Sequence, residues 1–467
     1  MVHGEAVVKG AGGPDVECAR VRLRVARSRM RIAAFPALPA SALVTVLAVL
    51  ATGCTRGGDA GTVVELWAMG REGEVVQQLV PAFERRAPGV HVRVQQIPWS
   101  AAHEKLLTAY VGRAMPDVMQ LGNTWLPEFV ALGAVAPLDT RFATSSVVRA
   151  DGYPAGVLDP NLIDGAAYAV PWYVDTRVLF YRVDLLAAAG HPEPPATWDD
   201  WVATMTRLAA RAGADGYAML LPMDEWQMPA ILALQRGGEL LRDHDRYGNF
   251  RSAAVHDAFA FYLDLFARGL APRAGEAQVA NVYQDFARGY FALYVTGPWN
   301  LGEFARRLPA ELADAWATAP LPAPDAAHPG VSLACGSSLA LARDSPRADA
   351  AWRFIEYLSE PAQQVALYRL AGDLPARTAA WDDPVLRDDG RVRAFATQLR
   401  HVRSTPKVPE WERIASAIGE HVEAAIRGRV PLDAALTDLD LEVDAILEKR
   451  RWMMDRAAGA RADEAAR

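Results

Sequence analysis

Apolar and polar positions change period along the chain, and each change marks an element. Val63 to Trp67 (VVELW) is a short apolar run holding one acid, the pattern of a half-buried strand. From Glu72 to Arg86 the apolar positions Val75, Val76, Leu79, Val80 and Phe83 recur at helical spacing, and Pro88-Gly89 stops the helix. Val90, Val92 and Val94 then alternate with His91, Arg93 and Gln95, a second strand. Ser100 is placed to cap a helix through Leu106, Leu107 and Tyr110, and Asp117 to Leu121 forms a third strand. Strand–helix–strand–helix–strand predicts an α/β domain with a mostly parallel sheet. Ligands on such sheets bind beyond the carboxyl ends of the strands. Those ends carry Trp67, Arg71 and Glu72 in one loop and Asn123 and Trp125 in the other.

Further along, Thr197 with Asp200 three residues later forms a capping box that opens a helix to about Ala212. Helices also fit Val255 to Arg268, Pro346 to Leu358, Pro361 to Leu370, Ile414 to Arg427 and Leu432 to Arg450. Tyr290 to Val295 reads as a strand ending in Thr296-Gly297-Pro298-Trp299-Asn300. Ser338 to Ala342 follows the small-residue turn Ala334-Cys335-Gly336-Ser337. One segment resists assignment to a single element. Ala169 to Arg182, AVPWYVDTRVLFYR, has strand-like flanks around Asp175, Thr176 and Arg177. Charge is costly to bury unless paired, so that centre has a task other than filling a core.

Composition narrows the function. The 467 residues are 51% apolar and 22% charged, ordinary globular material with length for two domains. Thirteen Trp are more than a core of this size needs, and Trp suits surfaces with one apolar face and one wet edge. Residues 1–53 hold seven Lys and Arg against three acids, leaving 42 basic against 53 acidic groups for the rest. So acidic a chain is a poor match for nucleic acid, whose phosphates want clustered cations. The basic start runs into the uncharged stretch Ile32 to Gly53, which ends in small residues before Cys54. That is the build of a secretory signal peptide over 1–53, with Met30 offering a shorter start that would make 1–29 an over-long assignment. The apolar part from Ser41 is too short for a comfortable spanning helix. Ala51-Thr52-Gly53-Cys54 resembles a bacterial lipobox, with Leu50 one position early, so Cys54 is the expected lipidation site and 54–61 a tether. Cys18 then leaves with the signal and Cys335 stands alone, so no disulfide is expected.

The ordered set VELWA, FERRAPGVHVRV, MPDVMQLGNTW, YAVPWYVDTRVLFYR, PATWDDW, FARGYFALYVTGPWN and GSSLALARDSPRADAAWRFIEYL resembles the bacterial extracellular solute-binding proteins of family 1. These are the sugar-type substrate-binding lipoproteins of ABC importers, including maltose and trehalose binders. The resemblance implies an α/β, periplasmic-binding-protein-like (type II) fold: two lobes, a hinge and a ligand cleft between them. It divides the chain into 62–173 with 331–358, and 174–330 with 359–455, followed by a flexible tail at 456–467. By family position Tyr173 and Asp175 face the ligand from the crossing between lobes, Trp299 is a stacking platform, Gly336 and Ser337 offer backbone groups, and Arg377 reaches a hydroxyl. A pyranose presents an apolar C–H face to an aromatic ring and a rim of hydroxyls to acids, amides and Arg. Trp67 with Arg71 and Glu72, Asn123, and Trp226 beside Glu225 have that form, whereas Trp125 reads as packing for the helix it starts. The implied partners are a neutral mono- or disaccharide and two membrane permeases with a cytoplasmic ATPase. The protein is expected as a monomer on the outer face of the cytoplasmic membrane, held by its lipid alone.

Rivals remain at this level. A binder of glycerol-3-phosphate or a glycerophosphodiester shares the fold. A lipoprotein glycosidase would need two carboxylates set across a bond, for which Glu72, Asp175 and Glu225 are available. A sensory lipoprotein would carry the same cleft. No metal-ligand spacing stands out among the nine His, no nucleophile motif is present, and no cofactor is expected.

Overall fold

A computed structural model describes residues 61–465 apart from 276, 277 and 280. The expected signal peptide, Cys54 and nearly all of the tether lie outside those residues. Ten strands build two sheets. They are β1 (Thr62–Met69), β2 (Val90–Ile97), β3 (Val118–Gly122), β4 (Ala169–Asp175), β5 (Val178–Arg182), β6 (Met219–Leu220), β7 (Leu293–Thr296), β8 (Trp316–Ala319), β9 (Cys335–Leu341) and β10 (Leu374–Pro375). The six-stranded sheet runs β10-β4-β9-β3-β1-β2, with β1 parallel to β2 and β3, and β9 antiparallel to β3 and β4. The four-stranded sheet runs β8-β5-β7-β6. Each sheet with its covering helices is one lobe of the α/β fold.

Alternation along β1 explains how the first sheet is covered. Val64, Leu66 and Ala68 enter one apolar cluster, while Trp67 and Met69 face another beneath the helix Trp99–Val111. In β5, Val178 and Phe180 pack with Trp316, Phe304 and Phe395, and Leu179 packs on the opposite face with Leu293 and Trp201. The capping box forms as the sequence suggests: Thr197 Oγ1 accepts from the Asp200 N–H at 3.2 Å and heads Trp198–Ala212.

Several expectations are corrected. Glu72 to Arg86 is not one helix; it breaks into Gly70–Val75, a tight turn at Val76–Gln78, and Val80–Arg86, because Pro81 cannot continue a preceding helical ladder. Ser100 does not cap its helix, which starts at Trp99 behind Pro98. The last long helix divides at Leu447 into Leu432–Ile446 and Glu448–Ala465, so much of the expected flexible tail is helical. The ambiguous segment is two strands in two different sheets, with Thr176-Arg177 between them. The crossing therefore lies two residues beyond the expected 173/174 boundary. The stretch after 358 does not pass straight to the second lobe either, since Leu374 and Pro375 pair with Val174 and Tyr173 at the edge of the first sheet.

Candidate functional site

The first wall of the site grows from the carboxyl ends of β1, β2 and β3. Gly70 turns the chain sharply from β1 into α1 (Gly70–Val75); its φ is +48°, and a Cβ there would lie 2.8 Å from the Trp99 ring. Only Gly adopts that conformation without strain and leaves space for the indole. The turn carries Glu72 inward, 7% exposed, while Arg71 points outward to an ion pair with Glu74 at 2.7 Å. Trp99 opens α2 (Trp99–Val111) and meets Trp125 edge-on at 5.6 Å. The Trp125 ring lies against Gly122 and beside His103. Below them, buried Tyr173 accepts a hydrogen bond from Gln120 Nε2 at 3.1 Å, and Gln120 Oε1 accepts from the Met69 N–H at 2.7 Å.

Strand β9 closes the floor. Gly336 has φ +150°, and a Cβ on it would meet the Tyr173 carbonyl oxygen at 2.5 Å, so Gly permits the close approach of β9 to β4. The Gly336 carbonyl accepts from the Asn123 N–H at 3.1 Å, and Ser338 Oγ donates to Asn123 Oδ1 at 2.9 Å. The loop from α3 (Pro361–Ala371) to β10 brings in Asp373, 3% exposed.

The second wall begins at the crossing. Asp175, at the end of β4, pairs with Arg177 at 2.6 Å, and the guanidinium lies 4.7 Å over the Trp299 ring. Trp299 itself folds back on Gly297, where a Cβ would fall 1.8 Å from the ring; Gly-Pro-Trp is thus a seat for the indole. Glu303 and Arg307 follow at one-turn intervals along the helix Trp299–Arg307 and pair at 2.5 Å. Arg307 also covers the Tyr283 ring at 4.9 Å, and Tyr283 donates to Asn300 Oδ1 at 3.0 Å. Trp226 stands at the start of the helix Gln227–Gln235, edge-on to Trp411 at 5.3 Å.

Together these residues line a cavity of about 600 Å³. Of the residues singled out from sequence, Arg71, Glu72, Asn123, Tyr173, Asp175, Trp226, Trp299 and Gly336 line it. Trp67, Ser337 and Arg377 do not. Trp67 lies on the face of β1 under α2, where Lys105 covers its ring at 4.8 Å. Ser337 turns its hydroxyl into the sheet, donating to the Leu121 carbonyl at 3.0 Å. Arg377 is spent inside the first lobe, bonded to the Val147 carbonyl and stacked on Tyr153. Trp125, expected as packing, lines the cavity, as do Trp99, Tyr283, Glu303, Arg307, Cys335 and Asp373. Trp99 was within reach of sequence reasoning: it follows β2 as Trp125 follows β3. Asp373 carried no such signal.

The charges on the two walls differ in state. Burial is the main cause that pushes the Glu72 carboxyl above its ordinary range, against hydrogen bonds from its backbone, Tyr173 and Trp99. Burial raises Asp373 much further, helped by the charges of Glu72 and Asp175. Burial also lifts Asp175, with Arg177 opposing it. The Cys335 thiol is pushed up to about 12 by burial, which makes it unreactive at neutral pH. Among the described residues there is no cluster able to hold a metal ion, and no helix long and apolar enough to cross a membrane.

With that geometry in place, comparison with known proteins gives one direction. The family described as bacterial extracellular solute-binding protein matches residues 68–365. A solved structure, the sugar-binding protein MalE from the phytopathogen Xanthomonas citri, is 47% identical, with TM-score 0.81 over 84% of this chain and 99% of that one. The GacH receptor of Streptomyces glaucescens, solved unliganded and with acarbose, shares the fold at 24% identity and TM-score 0.74, covering 83% of this chain and 99% of its own. The diacetylchitobiose binding protein DasA of Streptomyces coelicolor is 27% identical over 81% of this chain and 88% of its own length. These relatives are binding proteins rather than enzymes.

Proposed function

The chain belongs to the bacterial extracellular solute-binding proteins, and on that premise we propose that it is the lipid-anchored sugar receptor of an ABC importer. A neutral saccharide binds between the lobes, shifts the population towards a closed form, and is delivered to two membrane permeases driven by a cytoplasmic ATPase. Cys54 holds the mature protein at the outer face of the cytoplasmic membrane. Known binders of sugars among its relatives support the substrate class.

The observation that carries this reading is that rings and polar groups line one cavity together. Trp99, Trp125, Trp226, Tyr283 and Trp299 supply aromatic surface for C–H groups, and Glu72, Asp175, Asn123 and Asp373 supply hydroxyl partners. The size of the cavity accommodates a disaccharide, with ligand contacts drawn from Glu72, Asn123, Tyr173, Asp175, Trp226, Trp299 and Gly336. A phosphorylated ligand is a poorer match, because Arg71, Arg177 and Arg307 are each already paired with a carboxylate. Glycoside hydrolysis is poorer still. It needs two carboxyls free on either side of a bond, whereas Asp175 is already committed to an ion pair with Arg177 at 2.6 Å.

The test is a thermal-shift and Trp-fluorescence screen of the chain from Thr55 onward. Its panel is maltose, trehalose, sucrose, cellobiose, glucose, xylose, glycerol-3-phosphate and glycerophosphocholine. A melting rise with one neutral sugar that added salt leaves unchanged supports the proposal. A response confined to the phosphorylated compounds, weakening with salt, overturns it.

A further inference from the structure

The Glu72–Asp373 pair needs a proton. Both side chains are buried, line the same cleft and interact with each other. Ionised carboxylates only accept, so two of them in contact repel unless one keeps its hydrogen. Glu72 Oε2 and Asp373 Oδ2 meet no donor among the described residues, and both residues are more than nine-tenths buried while lining the cleft. Among the described residues the nearby cations are already paired. Arg71 is held by Glu74 at 2.7 Å, Arg369 by Asp383 at 3.1 Å, and Arg177 by Asp175 at 2.6 Å. The other groups acting on the pair are Tyr173 and Trp99, which favour the charged form of Glu72, and the carboxylate of Asp175, which opposes it.

We propose that Glu72 and Asp373 share one proton in the open protein and keep it when sugar binds, so that the pair grips the ligand as one acid and one carboxylate and affinity falls as the pH rises. This rests on the sugar reading of the same cleft. An acid and a carboxylate side by side offer one donor and several acceptors, which matches a ring or glycosidic oxygen next to a hydroxyl. Lobe closure removes more water from the pair and strengthens its hold on the proton, so binding takes a proton up only at pH values where the free pair has lost it. The sign follows: affinity is greatest where the free pair is already protonated and declines as the pH passes the point where it is not. Burial and mutual repulsion, which push both carboxyls upward, act in the same direction. The pair titrates as a unit, not as two separate residues.

Two measurements test this, one of them without ligand. Infrared spectra of the sugar-free protein at neutral pH should contain the carbonyl band of a protonated carboxyl, shifted or reduced in both E72Q and D373N. Absence of that band in the unmodified protein overturns the shared proton. Calorimetric titration with maltose, and with trehalose in parallel, should then give a dissociation constant that rises with pH, approaching about tenfold per unit at its steepest. D373N and E72Q should bind several-fold more weakly at low pH and show a flattened pH profile. A maltose or trehalose affinity independent of pH, with the band present, overturns the ligand grip. Binding of neither sugar, with the band present, points to failure of the sugar reading instead and takes the grip with it.

Discussion

The two walls of the cleft are made of the same residue types and leave them in opposite states. On the four-stranded-sheet side the ionic groups are paired before any ligand arrives: Arg177 with Asp175, Arg307 with Glu303, each cation also laid over an aromatic ring. On the six-stranded-sheet side Arg71 is paired with Glu74, but the buried acids Glu72 and Asp373 have no cation partner among the described residues. Paired and stacked groups hold their geometry, so the second wall is a rigid platform. Unneutralised buried acids are poorly satisfied by the protein alone, so the first wall has more to gain from a ligand. On the proposed reading, one wall positions the sugar and the other selects it.

That contrast can be broken most forcefully at the platform. Trp299→Ala removes the ring that carries both the expected stacking face and the seat of Arg177; calorimetry should show a loss of about 2 kcal/mol, roughly 30-fold in Kd. A loss under threefold would mean that the ring serves Arg177 and not the ligand. Asp175→Asn strips the counter-charge from Arg177. Sugar binding should weaken by about 1.5 kcal/mol, roughly tenfold, and the melting temperature should drop by a few degrees. A stability collapse with unaltered affinity would return Asp175 to a structural role. On the selecting wall, Trp125→Ala should cost less, about 1 kcal/mol or roughly fivefold in Kd, because Trp99 remains to cover the same end.

The acid pair gives a further distinction, read in stability. Both carboxyls are raised in the fold, so the stability linked to their protons is fully present below the unfolded carboxylate range of about 4 and is lost as pH rises through the folded value. Asp373→Asn cannot lose that proton. Its melting temperature relative to the unmodified protein should therefore climb with pH between 5 and 9, and a constant offset would show that the pair is not coupled to folding. The smallest effect is expected from Trp67→Ala and Arg377→Ala. Both sit off the cleft, so sugar affinity should stay within about twofold.

Much of this arrangement was legible before any coordinates. The alternation in VVELW and HVRV, the capping box at Thr197 and the helix after Pro361 each rest on a local rule, and each appears near its expected bounds. The break at Pro81 was also local, but the apolar spacing across it masked the fault. Site residues divide by the same criterion. Glu72, Asn123 and Trp299 follow strand ends and glycine turns, which a sequence displays. Trp67 and Trp125 stand at strand ends equally well, and their placement depends on which face of the strand the next helix covers. Period-two alternation fixes that two faces differ without saying which one looks into the cleft.

By itself, then, the sequence determined the class of elements, the α/β order, the aromatic and acidic character of the cavity lining, and the unusual make-up of the segment around Asp175. Those follow from nearest-neighbour chemistry: side-chain period, caps, turn residues, and the cost of burying charge. Only the tertiary structure decided that Arg377 is spent on Val147 and Tyr153, and that Asp373, about 300 residues from Glu72, comes to rest near it. Pairings of that kind depend on how two sheets and their connecting loops are brought together. No local pattern records the distance between two acids so far apart in the chain.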